Sequence, residues 1–157
     1  MSQATAAMDE LIRIIERLRG SDGCPWDREQ TAGSMVRFLI EEAYELADAI
    51  ASERAEHIRE ELGDVLFHIL FITQMHSEDG RFDLEQVCRE ISAKMKRRHP
   101  HVFGSVRVTD SAEVVRNWQE IKRGEKDSLR RASALDAVPA GLPGLMRAYA
   151  VSERAAR

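Results

Sequence analysis

A chain of 157 residues that is 43% apolar and 32% charged is long enough for one domain with a core of its own. Its net charge of −4 argues against general nucleic-acid binding, and no stretch reaches the ~18 uncharged apolar residues of a membrane span. Aromatic residues are only 6% and prolines only four, which suits helices better than a β-sandwich. Asp9, Glu10, Arg13, Glu16 and Arg17 interrupt any apolar leader near the N-terminus. Cys24 and Cys88 form neither a metal-ligand pair nor a disulfide framework. The expected setting is the reduced cytoplasm.

Residues 7 to 19 predict a first amphipathic helix, with Met8, Leu11, Ile12, Ile15 and Leu18 on one face. Gly20 and Gly23 stop it. Cys24-Pro25-Trp26-Asp27 then forms a compact loop, in which Asp27 can cap a short turn. Trp26 is either a lid over the end of the bundle or a wall for a flat ligand. Ser34 is expected to cap a second helix, 35 to 52. A third runs from 55 to 78, and its middle, Val65 to Met75, is apolar nearly all round. There Phe67 and Phe71 point away from the stripe of Leu62 and Ile69. A helix apolar on every side is buried on every side, so the second face is expected to meet another subunit. Asp83 caps a fourth helix that ends at Arg98, before Pro100.

That helix ends in a basic run. Lys94 and Arg98 lie four residues apart and flank the apolar face, whereas Lys96 and Arg97 point further away. Residues 99 to 104 read as a loop. A fifth helix, from 111 to about 123, carries Val114, Val115, Trp118 and Ile121 on one face, with Lys122 one turn after Trp118. Residues 124 to 143 read as a linker or lid, and a further helix starts near Leu142. The predicted architecture is therefore all-α, a bundle of four to five helices in residues 1–123, its core completed by dimerisation, with 124–157 as linker and C-terminal helix.

Two runs carry the chemistry, Glu41-Glu42-Ala43-Tyr44-Glu45 and Glu60-Glu61-Leu62-Gly63-Asp64. On the second helix Met35, Phe38, Leu39, Leu46, Ala49 and Ile50 make an apolar stripe. Glu42 falls inside it, about 40° from Phe38 and from Leu46 at ~100° per residue. Glu45 falls on its edge and Glu41 further round. On the third helix Glu61 flanks the stripe and Asp64 lies one step out. A carboxylate aimed at a core is costly unless a cation meets it. Glu42, Glu45, Glu61 and Asp64 would together suit a hard divalent cation such as Mg²⁺ or Mn²⁺. Lys94, Arg98 and Lys122 gain a purpose if the other ligand of that metal is a polyphosphate. The reaction class this favours is hydrolysis of a nucleotide polyphosphate. A di-iron bundle would need Glu-x-x-His pairs, and none of the five histidines has a glutamate at i−3. His68 is expected to be a satisfied core histidine beside Asp64.

EEAYE followed by EELGDVLFHILF resembles the EExxE…ExxD signature of the MazG family of nucleoside triphosphate pyrophosphohydrolases. CPWDREQT before it, and KRRHPHVFG and NWQEIK after it, look like MazG segments in the expected order. The resemblance runs from about Leu11 to the C-terminus. It implies a helical-bundle homodimer and Mg²⁺-dependent hydrolysis of a nucleoside triphosphate to monophosphate and pyrophosphate, with removal of non-canonical nucleotides as one use. It implies metal ligation by Glu42, Glu45, Glu61 and Asp64, phosphate contacts from Lys94 and Arg98, and a nucleotide contact from Trp118. Glu41 and Glu60 match further acids of the motif, and Glu41, off the apolar seam, is the candidate for orienting water. The ending LPGLMRAYAVSERAAR looks like the junction of a two-domain MazG chain. The alternative function is a dimerising or regulatory module that binds a nucleotide without turning it over.

Overall fold

Thr31 starts the helix that carries the first acid run. Its side chain accepts from the Ser34 backbone N–H at 3.1 Å, and the Ser34 hydroxyl accepts from the Thr31 N–H at 3.0 Å. This is a capping box with serine in the usual glutamate position. The cap is thus Thr31 rather than the expected Ser34, which lies one turn inside. The computed structural model describes residues 2–127, 138–139, 141–142 and 144–155. Within them the chain is all-α. The helices are α1 (Gln3–Arg19), α2 (Pro25–Glu29), α3 (Ala32–Ala51), α4 (Ala55–Glu78), α5 (Leu84–Arg98), α6 (Pro100–Phe103), α7 (Ser111–Asp127) and α8 (Gly144–Ala155).

Six of these match expected helices, five of them those of the bundle and α8 the one expected to start near Leu142. The short α2 and α6 occupy segments expected to be a turn and a loop, each entered through a proline whose fixed φ suits a first helical turn. α1 begins earlier than its apolar periodicity, because the Ser2 side chain accepts from the Thr5 N–H. α7 runs through Gly124 to Asp127. The expected linker beyond it lies mostly outside the described residues.

The chain divides into two compact units, 1–91 and 92–157. In the first, α3 and α4 form a helical hairpin. Their turn holds Glu53 at φ 56, the left-handed region. Ile15 of α1, Met35 of α3, and Leu70, Phe71 and Met75 of α4 form the buried core, with Phe38, Leu66, Phe67 and Leu84 packed around them. Phe71 is wholly buried, whereas Leu62 and Ile69 are 52% and 44% exposed. The expected assignment of the two faces of α4 is therefore reversed. The Phe71 face meets α1 and α3 of the same chain, and the Leu62–Ile69 face is the open one.

Arg19, at the end of α1, ties this unit together. It donates through Nε and Nη2 to the Glu78 carboxylate and through Nη1 to the Asp27 carbonyl at 2.7 Å, with its guanidinium 5.4 Å from the Phe71 ring centre. The chain leaves α1 by folding back tightly, and the Cys24 N–H donates to the Leu18 carbonyl at 2.8 Å. A Cβ on Gly23 would lie 2.1 Å from that same oxygen. Only glycine fits, and the fold-back sets α2 beside α1.

α5 starts with a reciprocal cap between Asp83 and Gln86. In the second unit α7 starts with Asp110 accepting from the Glu113 N–H, while Glu113 accepts from the Thr109 N–H and hydroxyl. Those bonds from Thr109 hold the Glu113 carboxyl below its ordinary value.

Candidate active site

The α3–α4 hairpin brings Glu42, Glu45 and Glu61 together. Each offers one carboxylate oxygen, and these oxygens lie within 4.8 Å of one another. Glu42 and Glu45 share a face of α3 because they are three residues apart, and Glu61 meets them from α4. Glu42 and Glu61 are partly buried and Glu45 is exposed. Glu61 Oε2 is buried without a hydrogen-bond partner. Burial, and then the negative charges of Glu45, Asp64, Glu42 and Glu60, raise the Glu61 carboxyl above its ordinary value. A buried, unpartnered acceptor oxygen on one of three converging carboxylates suits a hard divalent cation, whose positive charge would reverse that repulsion.

Asp64 is exposed and outside this close group, although its charge acts on Glu61. Glu41 and Glu60 are exposed. The Arg37 guanidinium lies 4.4 Å from the Phe38 ring centre.

His68 was expected beside Asp64, but its Nε2 faces Glu42 Oε1 at 3.7 Å and its Nδ1 is buried without a partner. Its ring lies parallel to Phe38 at 6.2 Å and edge-on to Phe67 at 5.4 Å. It is a core histidine whose polar edge points at the acids, not a hydrogen-bond-satisfied one. The i+4 spacing from Asp64 misled the sequence reading, since contact with α3 decides where the ring goes. Trp26 meets Phe38 edge-on at 5.8 Å. Together with Gln30, Gly33, Ser34 and Arg37 these two aromatic residues line a cleft of about 370 Å³. Of the two roles open to Trp26, the wall of a cleft fits this placement. A second cleft, of about 400 Å³, includes Glu45, Asp48, Arg54, His57 and Glu61 in its lining.

The second unit gathers the basic residues. The Arg98 guanidinium lies 5.1 Å from the Trp118 ring centre, and Lys122 Nζ lies 4.6 Å from it. Lys94 is exposed. Arg97, expected to point further from the apolar face than Arg98, meets the same carboxylate, Glu125, at 2.7 Å. The Arg98 and Arg97 bonds hold the Glu125 carboxyl down at about 2. Glu125 was missed in the sequence because only the register of α7 against Arg97 and Arg98 gives it a role.

Residues 30–103 match the MazG nucleotide pyrophosphohydrolase domain. Over 150 residues the chain is 46% identical to a nucleoside triphosphate pyrophosphohydrolase of Escherichia coli K12, an alignment covering 95% of this chain. The chain carries a MazG domain. It is also 38% identical over its whole length to the Thermotoga maritima nucleoside triphosphate pyrophosphohydrolase/pyrophosphatase MazG. This MazG chain spans 57% of the Escherichia coli relative and 60% of the Thermotoga one. A crystal structure of a mazG-related protein from Thermotoga maritima superposes with a TM-score of 0.62 at 28% identity, covering 73% of this chain and 98% of that one. The all-α bundle read from the sequence is thus the MazG fold. No helix among the described residues is long and apolar enough to cross a membrane.

Proposed function

We propose that this MazG domain hydrolyses nucleoside triphosphates to the monophosphate and pyrophosphate, using Mg²⁺ or Mn²⁺. The observation that carries the reading is the convergence of Glu42, Glu45 and Glu61 within 4.8 Å, with Glu61 Oε2 buried and unpartnered. The activities for which the relatives are named agree with it. Glu42, Glu45 and Glu61 would hold the cation, and Asp64, whose charge already acts on Glu61, would complete the set. A bound Mg²⁺ supplies charge neutralisation for the phosphates and lowers the pKa of water. Glu41 is an exposed carboxylate one turn from Glu45 and is assigned to orient the attacking water and accept its proton. Water adds across the α–β phosphoanhydride, whose bridging bond breaks, and pyrophosphate departs. Lys94, Arg98 and Lys122 are assigned to phosphate oxygens, and Trp118 to the nucleotide.

A homodimer is part of this reading. Ile40 and Tyr44 of α3 and Leu62 and Ile69 of α4 are each between 41% and 52% exposed, an apolar face that a second copy would cover. The test is a turnover panel of ordinary and modified nucleoside triphosphates with Mg²⁺, the products separated by chromatography. Monophosphate and pyrophosphate in equal amounts are expected, with a preference among modified bases identifying a clearing role. Tight nucleotide binding with no pyrophosphate would make the domain a binding module instead, and release of orthophosphate would refute the assigned bond cleavage.

A further inference from the structure

Arg97 and Arg98 are neighbours on one helix, so their side chains leave it about 100° apart. They converge because an acceptor on α7 draws both in. Arg97 Nε donates to Glu125 Oε1 at 2.7 Å, and Arg98 donates to Oε2 through Nε at 3.1 Å and through Nη2 at 2.6 Å. The Arg98 side chain is only 14% exposed, with its guanidinium against Trp118. A guanidinium carries five N–H donors in one plane. Glu125 takes the edge formed by Nε and Nη2. Among the described residues Nη1 donates no hydrogen bond.

We propose that Glu125 is a positioning residue: it fixes the plane of the Arg98 guanidinium beside Trp118 and leaves the Nη1 edge to meet a phosphate oxygen of the nucleotide. This rests on the reading of Arg98 as a phosphate contact. The charges agree with it. One carboxylate facing the two guanidiniums of Arg97 and Arg98 leaves an excess of positive charge for an incoming polyphosphate. The carboxyl, held at about 2, stays ionised at neutral pH, so it serves Arg98 only as an acceptor. A long arginine fixed by such a partner loses less rotamer freedom on binding than one that must be ordered by the ligand.

The test is a double-mutant cycle on the full chain, with inorganic pyrophosphate titrated by calorimetry in the presence of Mg²⁺. Wild type, Glu125→Gln, Arg98→Ala and the double variant are compared. Each single change is expected to weaken pyrophosphate binding about tenfold, the scale of one charge-assisted hydrogen bond. The double variant should bind as Arg98→Ala does, within about twofold. Glu125→Asp, which keeps the charge, should recover most of the affinity lost in Glu125→Gln, a rescue that a general packing role does not predict. If Glu125→Gln binds pyrophosphate as tightly as wild type or more so while Arg98→Ala binds weakly, the positioning role is wrong and the Arg98 reading stands. If Arg98→Ala binds normally, both are wrong. A further loss on adding Glu125→Gln to Arg98→Ala would show that Glu125 acts through another group, which also overturns the proposal.

Discussion

Replacing Arg19 with methionine keeps an apolar stem over Phe71 and removes every bond of the guanidinium. Three losses contribute. The part-buried bond to the Asp27 carbonyl, at 2.7 Å, belongs to the charge-assisted class worth about 1.5 kcal/mol or more. The paired bonds to Glu78 face a carboxylate that is 35% exposed, so solvent screening reduces them to about 1 kcal/mol. The contact with the buried Phe71 ring, at 5.4 Å, adds about 0.5–1 kcal/mol. The expected destabilisation is about 3 kcal/mol, against about 1 kcal/mol for Glu78→Gln, which leaves the Asp27 carbonyl bond intact. Urea denaturation at fixed protein concentration, followed by tryptophan fluorescence and by circular dichroism, measures both. The pH profile supplies a second check. Hydrogen bonding from Arg19 lowers the Glu78 carboxyl below its ordinary 4.5. That contribution is therefore complete above about pH 4.5 and is lost as pH falls through the folded-state value. The gap between wild type and Arg19→Met should be constant near neutrality and narrow in acid. A loss below about 1 kcal/mol, or a gap that does not change on acidification, would show that Arg19 is an ordinary surface arginine.

Glu61→Gln should lower Mn²⁺ affinity by at least about tenfold in a paramagnetic titration, yet leave the metal-free melting temperature unchanged or higher, because it removes one charge from a repelling group. Unchanged Mn²⁺ binding would remove Glu61 from the metal set. Phe71→Ala, at the best-buried side chain, should cost about 3–5 kcal/mol in urea, whereas Ile69→Glu should leave the subunit folded and lower its mass in sedimentation. A monomeric wild type, or a folded Phe71→Ala as stable as wild type, would contradict the assignment of the two faces of α4.

The long helices and the meeting of three of the four expected acids were legible in the sequence because both follow from 3.6-residue periodicity, whereas Asp64 stays outside the close group. Glu42 stood out as an acid inside an apolar stripe, and Glu42, Glu45 and Glu61 do meet. Periodicity also showed that α4 has two apolar faces. It could not say which one the chain covers itself, since that depends on where α1 packs, and Phe71 rather than Ile69 proved to be the inner residue. Caps followed a similar rule. Asp83 was readable as a cap, but Thr31 was passed over for Ser34 because serine at the N3 position of a capping box looks like an N-cap in sequence. His68 and Glu125 have roles fixed by partners on other helices, and neither spacing nor composition encodes those.

The turn between α3 and α4 has a consequence for how this family can vary. Glu42 and Glu45 precede it and Glu61 follows it, so the turn acts as the gauge that sets the α3 pair against Glu61. One residue inserted within α4 ahead of Glu61 would swing that carboxylate by about 100° and move it ~1.5 Å along the axis. Substitutions in the turn leave the gauge intact, provided the backbone can still adopt the positive φ of Glu53. Glycine or asparagine there would ease the strain. Sequence drift in this turn is therefore free in chemistry, whereas the stretch of α4 between the turn and Glu61 is constrained in length.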